Sequence, residues 1–225
     1  LHSVAQEIRE IGREALVVQT DVRDPDQVQN MVNKTIEHFG RIDALINNAG
    51  AIYWGTTTEF PIKRFDLVMD VNVRGAFLAS QAAIPAMREN GGHIVMMSPP
   101  INPKAATAKA PYIISKFGMT MVAMAIDAEE SSIAAHALWP VTGIRTAATV
   151  NLTMGDDSDW RTPEILADAT VELIARDPKQ CSFRAWLDED VLQEAGIDDL
   201  DQYACVPGSK PSPMSIMLVD PDWSR

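Results

Sequence analysis

Hydrophobic positions change their spacing repeatedly along this chain, alternating between helical and strand rhythm. LHSVAQEIREIG places Leu1, Val4, Ile8 and Ile11 on one helical face, with Gly12 as the stop. ALVVQ (15–19) is then a short apolar run of strand type. In DPDQVQNMVNKTIEHFG, Asp24 serves as cap, Pro25 suits the first turn, Val28, Met31, Val32 and Ile36 face inward, and Gly40 ends the helix. The cycle repeats with strands DALIN (43–47), HIVMM (93–97), AAHAL (134–138) and FRAWL (183–187). Between them fall a long helical stretch around VRGAFLASQAAIPAMREN, a helix from Tyr112 to about Glu130, and another from Pro163 to Arg176. Five strands separated by helices predict an α/β fold, a Rossmann-like doubly wound parallel sheet covered on both faces. No repeat or low-complexity linker divides residues 1–225, which read as one domain. The last twenty residues, from Val206 on, carry four prolines and read as an extended tail.

Composition narrows the function. At 46% hydrophobic the chain of 225 residues has enough apolar content for a full core. A formal net charge of -12 with no dense basic run argues against a nucleic-acid partner. Cys181 and Cys205 lie too far apart for a CxxC motif, and a reducing cytoplasm is the expected compartment. No apolar run approaches the ~18 residues of a membrane span, and LHSVAQEIRE lacks the order of a signal peptide. His2, His38, His93 and His136 show no ligand spacing, so no metal site is expected. The acidic runs 188–190 and 198–201 read as solvated faces, and Met119, Met121 and Met124 as packing residues.

In a sheet of this kind ligands sit beyond the carboxyl ends of the strands. Those ends carry Thr20-Asp21-Val22, Asn47-Asn48-Ala49-Gly50, Ser98-Pro99-Pro100 and Trp139-Pro140. Further along, Tyr112 and Lys116 stand four apart on one helical face, close enough for an ammonium to lower the phenol's pKa. Such a phenol can give or take a proton near neutral pH. Alone, the pair reads mostly as a surface pair on the wet side of a helix, since a spacing of four arises easily by chance.

The set NNAG, Asn72 in VNVRG, a serine after HIVMM, Tyr112-x-x-x-Lys116 and the proline after AHALW resembles the short-chain dehydrogenases/reductases over roughly residues 1–190. MSPP, ISKFGM, ALWPVTGIRTAA and LDEDVL are most similar to its hydroxysteroid dehydrogenase-like branch. The resemblance implies an oxidoreductase that moves a hydride between NAD or NADP and a carbonyl or secondary alcohol. It makes Tyr112 the proton donor, Lys116 its partner and the holder of the nicotinamide ribose, Asn72 the anchor of a relay water, and Ser98 the group that orients the substrate oxygen. It assigns Asp21 and Val22 to the adenine side and Asn48, Ala49, Gly50 and Pro140 to the rest of the cofactor. It also implies a homodimer or homotetramer built on the helix from Tyr112 and the long one before it. Trp54, Met97, Trp139 and Ile144 near this site point to an apolar substrate.

The sequence departs from the family pattern at two points. The usual thirteen-residue offset back from Tyr112 lands on Pro99, so Ser98 is displaced by one. No GxxxGxG occurs, and the resemblance implies that a strand, the glycine loop with its helix and a second strand stand ahead of Leu1 in the full polypeptide. These departures keep open a non-catalytic protein that retains the fold to hold a lipid-like ligand or a partner.

Overall fold

The computed structural model describes residues 1–99 and 109–213. The expected tail therefore lies outside the described residues from 214 onward, as does Pro100. Helices α1 (His2–Glu10) and α2 (Pro25–Phe39) open the chain. Asp24 caps α2 by accepting from the Asp26 and Gln27 amides, and Gly40 ends it in the left-handed region at φ 81°.

The central sheet holds β1 (Ala44–Asn47), β2 (Gly92–Met97), β3 (Ile133–Trp139) and β6 (Ala185–Leu187), all parallel and in that order. A separate parallel pair, β4 (Gly143–Ile144) with β5 (Trp160–Arg161), lies in the chain following β3. Apolar runs made the four central strands legible. The fifth expected strand is corrected: residues 15–19 form no strand and carry no ladder. Strand propensity needs a neighbour about 4.8 Å away, and no described strand lies alongside them. Leu16 and Val18 instead line a groove with Leu1, with Ala5 and Ile8 of α1 and with Met31 of α2.

Alternation along β2 divides the core between two faces. Ile94 and Met96 join Ala83 and Met87 of α4 (Gly75–Met87) and Met119 and Ala123 of α5 (Ala110–Glu129). Val95 points the other way, toward Ile165, Ala169 and Leu173 of α7 (Glu164–Ile174) and Val191 and Leu192 of α8 (Asp188–Glu194). Helices therefore cover both faces, as a doubly wound sheet requires. The long helical stretch starts earlier than the apolar pattern suggested: α3 (Ile62–Met69) runs through a π-helical turn at Asp70–Arg74 into α4. Short α6 (Ala147–Asn151) is capped by Thr146.

Gly92 shows why β2 starts where it does. A Cβ there would meet Asp43 O at 2.3 Å, with φ at 150°. Gly40 has φ 81° but open space around the same position. Gly92→Ala is expected to lower stability by about 1–3 kcal/mol through overpacking, and more than Gly40→Ala does. Denaturant melts of both variants check the ranking; equal losses would mean that the β1–β2 approach is not tight.

Candidate active site

The site is built from α5 upward. Pro111 starts this helix without needing an amide donor, and the next turn turns Tyr112, Ser115, Lys116, Met119 and Thr120 inward. Tyr112 is 8% exposed and Lys116 5%. Lys116 Nζ reaches across the carboxyl end of β2 and donates to Met97 O at 2.7 Å. Met119 Sδ at 3.8 Å is its other acceptor among the described residues, so the ammonium has N–H capacity left. Its charge also faces aromatic rings, 5.8 Å from the Tyr112 centroid and 5.3 Å from that of Trp139.

Asn72 sits in the π-helical turn and is 0% exposed. Its Oδ1 accepts from the Ala51 amide at 2.6 Å, while Nδ2 donates to Ala51 O at 3.0 Å and to Ser115 Oγ at 2.8 Å. Ser115 then donates to Tyr112 O at 2.7 Å. One amide thus ties the loop after β1 to the helix that carries Tyr112. π-turns concentrate at functional sites because the widened turn redirects a side chain. Periodicity could not show this turn, and Ser115 was missed; a serine three residues after Tyr112 was its only signal.

A cavity of about 230 Å³ brings these elements together. Asn48, Tyr112, Lys116 and Pro140 line it, and the expected apolar neighbours Trp54, Met97, Trp139 and Ile144 are all on its wall. Ile52, Thr146, Thr149, Met154 and Leu166 also line it and were not foreseen from the sequence. Gly50 lies close by, since a Cβ on it would stand 3.8 Å from Lys116 Nζ and 3.6 Å from Asn72 Oδ1. Ala49 is exposed between them.

Ser98 is not among the residues lining the cavity. It is 0% exposed, and its Oγ lies 3.0 Å from Thr120 Oγ1, which is also 2.8 Å from Pro99 O. The hydroxyl expected to orient substrate therefore belongs to the junction between β2 and α5. Pro99 at the thirteen-residue offset fixes the backbone and offers no hydroxyl. Asp21 also lies outside this cavity. Its carboxylate takes a bidentate grip from Arg23 at 2.6–3.1 Å, which holds its pKa down at about 2. Val22 packs against Gly75, where an added Cβ would meet Val22 Cγ2 at 2.8 Å.

Burial reverses the expected electrostatics of the Tyr112–Lys116 pair. Desolvation pushes the phenol above its ordinary value and brings the ammonium down to about 8. At neutral pH the free protein thus holds a neutral phenol beside a charged ammonium. The acidic run opening α8 also departs from its solvated reading. Asp188 is 0% exposed, and burial raises its carboxyl to about 7 against the lowering effect of the Val141 and Glu189 amides. Among the described residues no three His, Cys, Asp or Glu side chains converge as metal ligands, and no helix is long and apolar enough to cross a membrane.

The family model for short chain dehydrogenase matches residues 1–155. The chain belongs to the short-chain dehydrogenase family. It is 40% identical over 227 residues to hydroxysteroid dehydrogenase-like protein 2 of Rattus norvegicus, covering 99% of this chain but 43% of that relative. The chain thus spans under half of that relative's length. A short chain dehydrogenase from Mycobacterium thermoresistibile has a crystal structure that matches with a TM-score of 0.86 and 42% identity, over 94% of this chain and 78% of the other. A gluconate 5-dehydrogenase from Burkholderia cenocepacia J2315, in complex with NADP and tartrate, matches with a TM-score of 0.70 and 25% identity, covering 81% and 78% respectively. The parallel sheet with helices on both faces is the fold of these solved dehydrogenases.

Proposed function

We propose that this chain acts as an NAD(P)-dependent oxidoreductase on the carbonyl or secondary alcohol of an apolar substrate. The observation that carries this reading is the buried Tyr112–Lys116 pair on the wall of a largely apolar cavity. The residues present suit the nicotinamide half of the cofactor. Lys116 has N–H capacity free to hold ribose hydroxyls, with Asn48 and Pro140 on the same wall. NAD(P)H, when bound, supplies the hydride that the substrate carbon accepts.

The remaining chemistry belongs to the chain. Tyr112 gives its phenolic proton to the oxygen of the carbonyl as that carbon is reduced, which leaves an alcohol and a phenolate. The adjacent Lys116 charge stabilises the phenolate until solvent returns the proton. Burial keeps the phenol neutral in the free state, so its proton is present for donation. Asn72 holds Ala51 and, through Ser115, the start of α5, so the loop and the proton donor keep their spacing. No serine hydroxyl is assigned to the substrate, because Ser98 faces Thr120.

That same turned-away serine supports a second reading, a binding protein that retains the fold without turnover. The two readings differ in one variant. Tyr112→Phe is expected to keep nicotinamide-nucleotide binding and to cut ketone reduction by roughly 10²–10⁴-fold, the usual contribution of a general acid. Nucleotide fluorescence titration and a panel of aliphatic and aromatic ketones check this. Nucleotide binding by the unmutated chain with no turnover of any ketone would overturn the enzymatic reading in favour of the second.

We further assign the molecule to a homo-oligomer of the cytosol. Free Cys181 and Cys205 suit a reducing compartment. Phe77 on α4 and Ile114, Met121 and Met124 on α5 are 49%, 51%, 52% and 40% exposed, an apolar stripe that a second copy would cover. Light scattering at micromolar concentration should give a dimer or tetramer, and Phe77→Glu with Met121→Lys should reduce it to monomer; an unmutated chain that is monomeric would refute the assembly.

A further inference from the structure

The cavity wall opposite α5 is the segment from Pro140 to Thr146, which supplies Pro140, Ile144 and Thr146 to the lining. Both of its ends are tied to the opening of α8. Trp139 and Leu187 pair at the ends of β3 and β6, so the two chains leave the sheet side by side. Immediately beyond, Asp188 Oδ1 accepts from the Val141 amide at 2.9 Å and from the Glu189 amide at 2.8 Å. Farther along the segment, Gly143–Ile144 pair with Trp160–Arg161, and Arg161 is ion-paired to Glu189. Asp188 therefore grips the start of the wall directly, while Glu189 grips its far end through Arg161.

Burial makes the direct grip informative. Asp188 is 0% exposed, and its Oδ2 has no partner among the described residues. A side chain kept only to open a helix would sit at the surface, where both oxygens meet water. Here one oxygen goes unmatched while the other holds a loop amide 47 residues away in sequence. An unmatched buried acceptor costs stability, so the position does not favour stability alone.

We propose that Asp188 is the positioning residue of the active-site wall: its Oδ1 fixes the Val141 amide and so sets where Pro140 and Ile144 stand relative to Tyr112. Only the consequence for cofactor binding rests on the oxidoreductase reading above; the grip on the wall does not. Asp188→Asn retains an oxygen acceptor on the same carbon skeleton, whereas Asp188→Ala removes it. Two measurements on the full chain separate the parts.

The first is amide hydrogen exchange, which needs no ligand. In the unmutated protein the Val141 amide should exchange slowly. Asp188→Ala should speed exchange of residues 140–146 at least tenfold while β2 and β3 stay protected, and Asp188→Asn should restore the slow rate. Fast exchange at Val141 in the unmutated chain, an increase spread evenly over the sheet in Asp188→Ala, or no recovery in Asp188→Asn would each overturn the proposal. The first of these outcomes needs no variant, so the test survives if Asp188→Ala fails to fold. The second measurement is NADH affinity by fluorescence. Asp188→Ala should weaken it about tenfold and Asp188→Asn less than threefold; exchange that speeds up with unchanged affinity would overturn the positioning role. An unmutated chain that binds neither NADH nor NADPH would sink the oxidoreductase reading, and exchange would still decide the grip.

Discussion

The bond from the Lys116 ammonium to Met97 O, 2.7 Å long, joins the helix that carries Tyr112 to the sheet whose strand ends frame the cavity. An ammonium 5% exposed loses most of its hydration, and that loss must be offset by the groups around it. Here a strand-end carbonyl and the rings of Tyr112 and Trp139 do so in part. The carbonyl lies within reach because Met97 is the last residue of β2. The sheet thus supplies the counter-dipole, and α5 supplies the charge. Were either displaced by a few ångströms, the lysine would be stranded in an apolar site.

Around that bond the other contacts act as braces with distinct jobs. Asn72 fixes the loop after β1 against α5 through Ala51 and Ser115. Thr120 closes the junction below, beside Ser98 and Pro99 O. Asp188 holds the opposite wall through Val141. Each brace starts at the carboxyl end of a strand or the inward face of a helix, where side chains from distant parts of the chain converge. A cavity so framed is braced on two sides and lined mostly by apolar side chains.

Much of this was legible in the sequence for a physical reason. Apolar runs bounded by turn residues mark buried parallel strands, so 43–47, 93–97, 134–138 and 183–187 could be read within two residues of the observed ends, and Asp24, Pro25 and Gly40 marked the ends of α2. Tyr112 and Lys116 share a face by helical spacing alone. What escaped was information carried by partners. Residues 15–19 have strand composition, but composition does not supply a neighbouring strand. The π-turn at Asn72 shifts backbone bonding without leaving a periodic trace. The direction of Ser98 depends on Thr120, 22 residues later. Asp188 looked like one of three surface acids until its burial beside Val141 was seen.

The central claim is that burial at the β2–α5 junction holds a charged but easily deprotonated lysine beside a neutral tyrosine. Its most direct test is a pH titration of the Lys116 side chain by NMR, with the resonance assigned by its loss in Lys116→Met. Desolvation lowers the ammonium's pKa, so Lys116 should lose its proton around pH 8 while exposed lysines keep theirs to above 10. A Lys116 that titrates with the others at its ordinary value of 10.5 would contradict the account, because the ammonium would then be solvated and the site would not be preassembled.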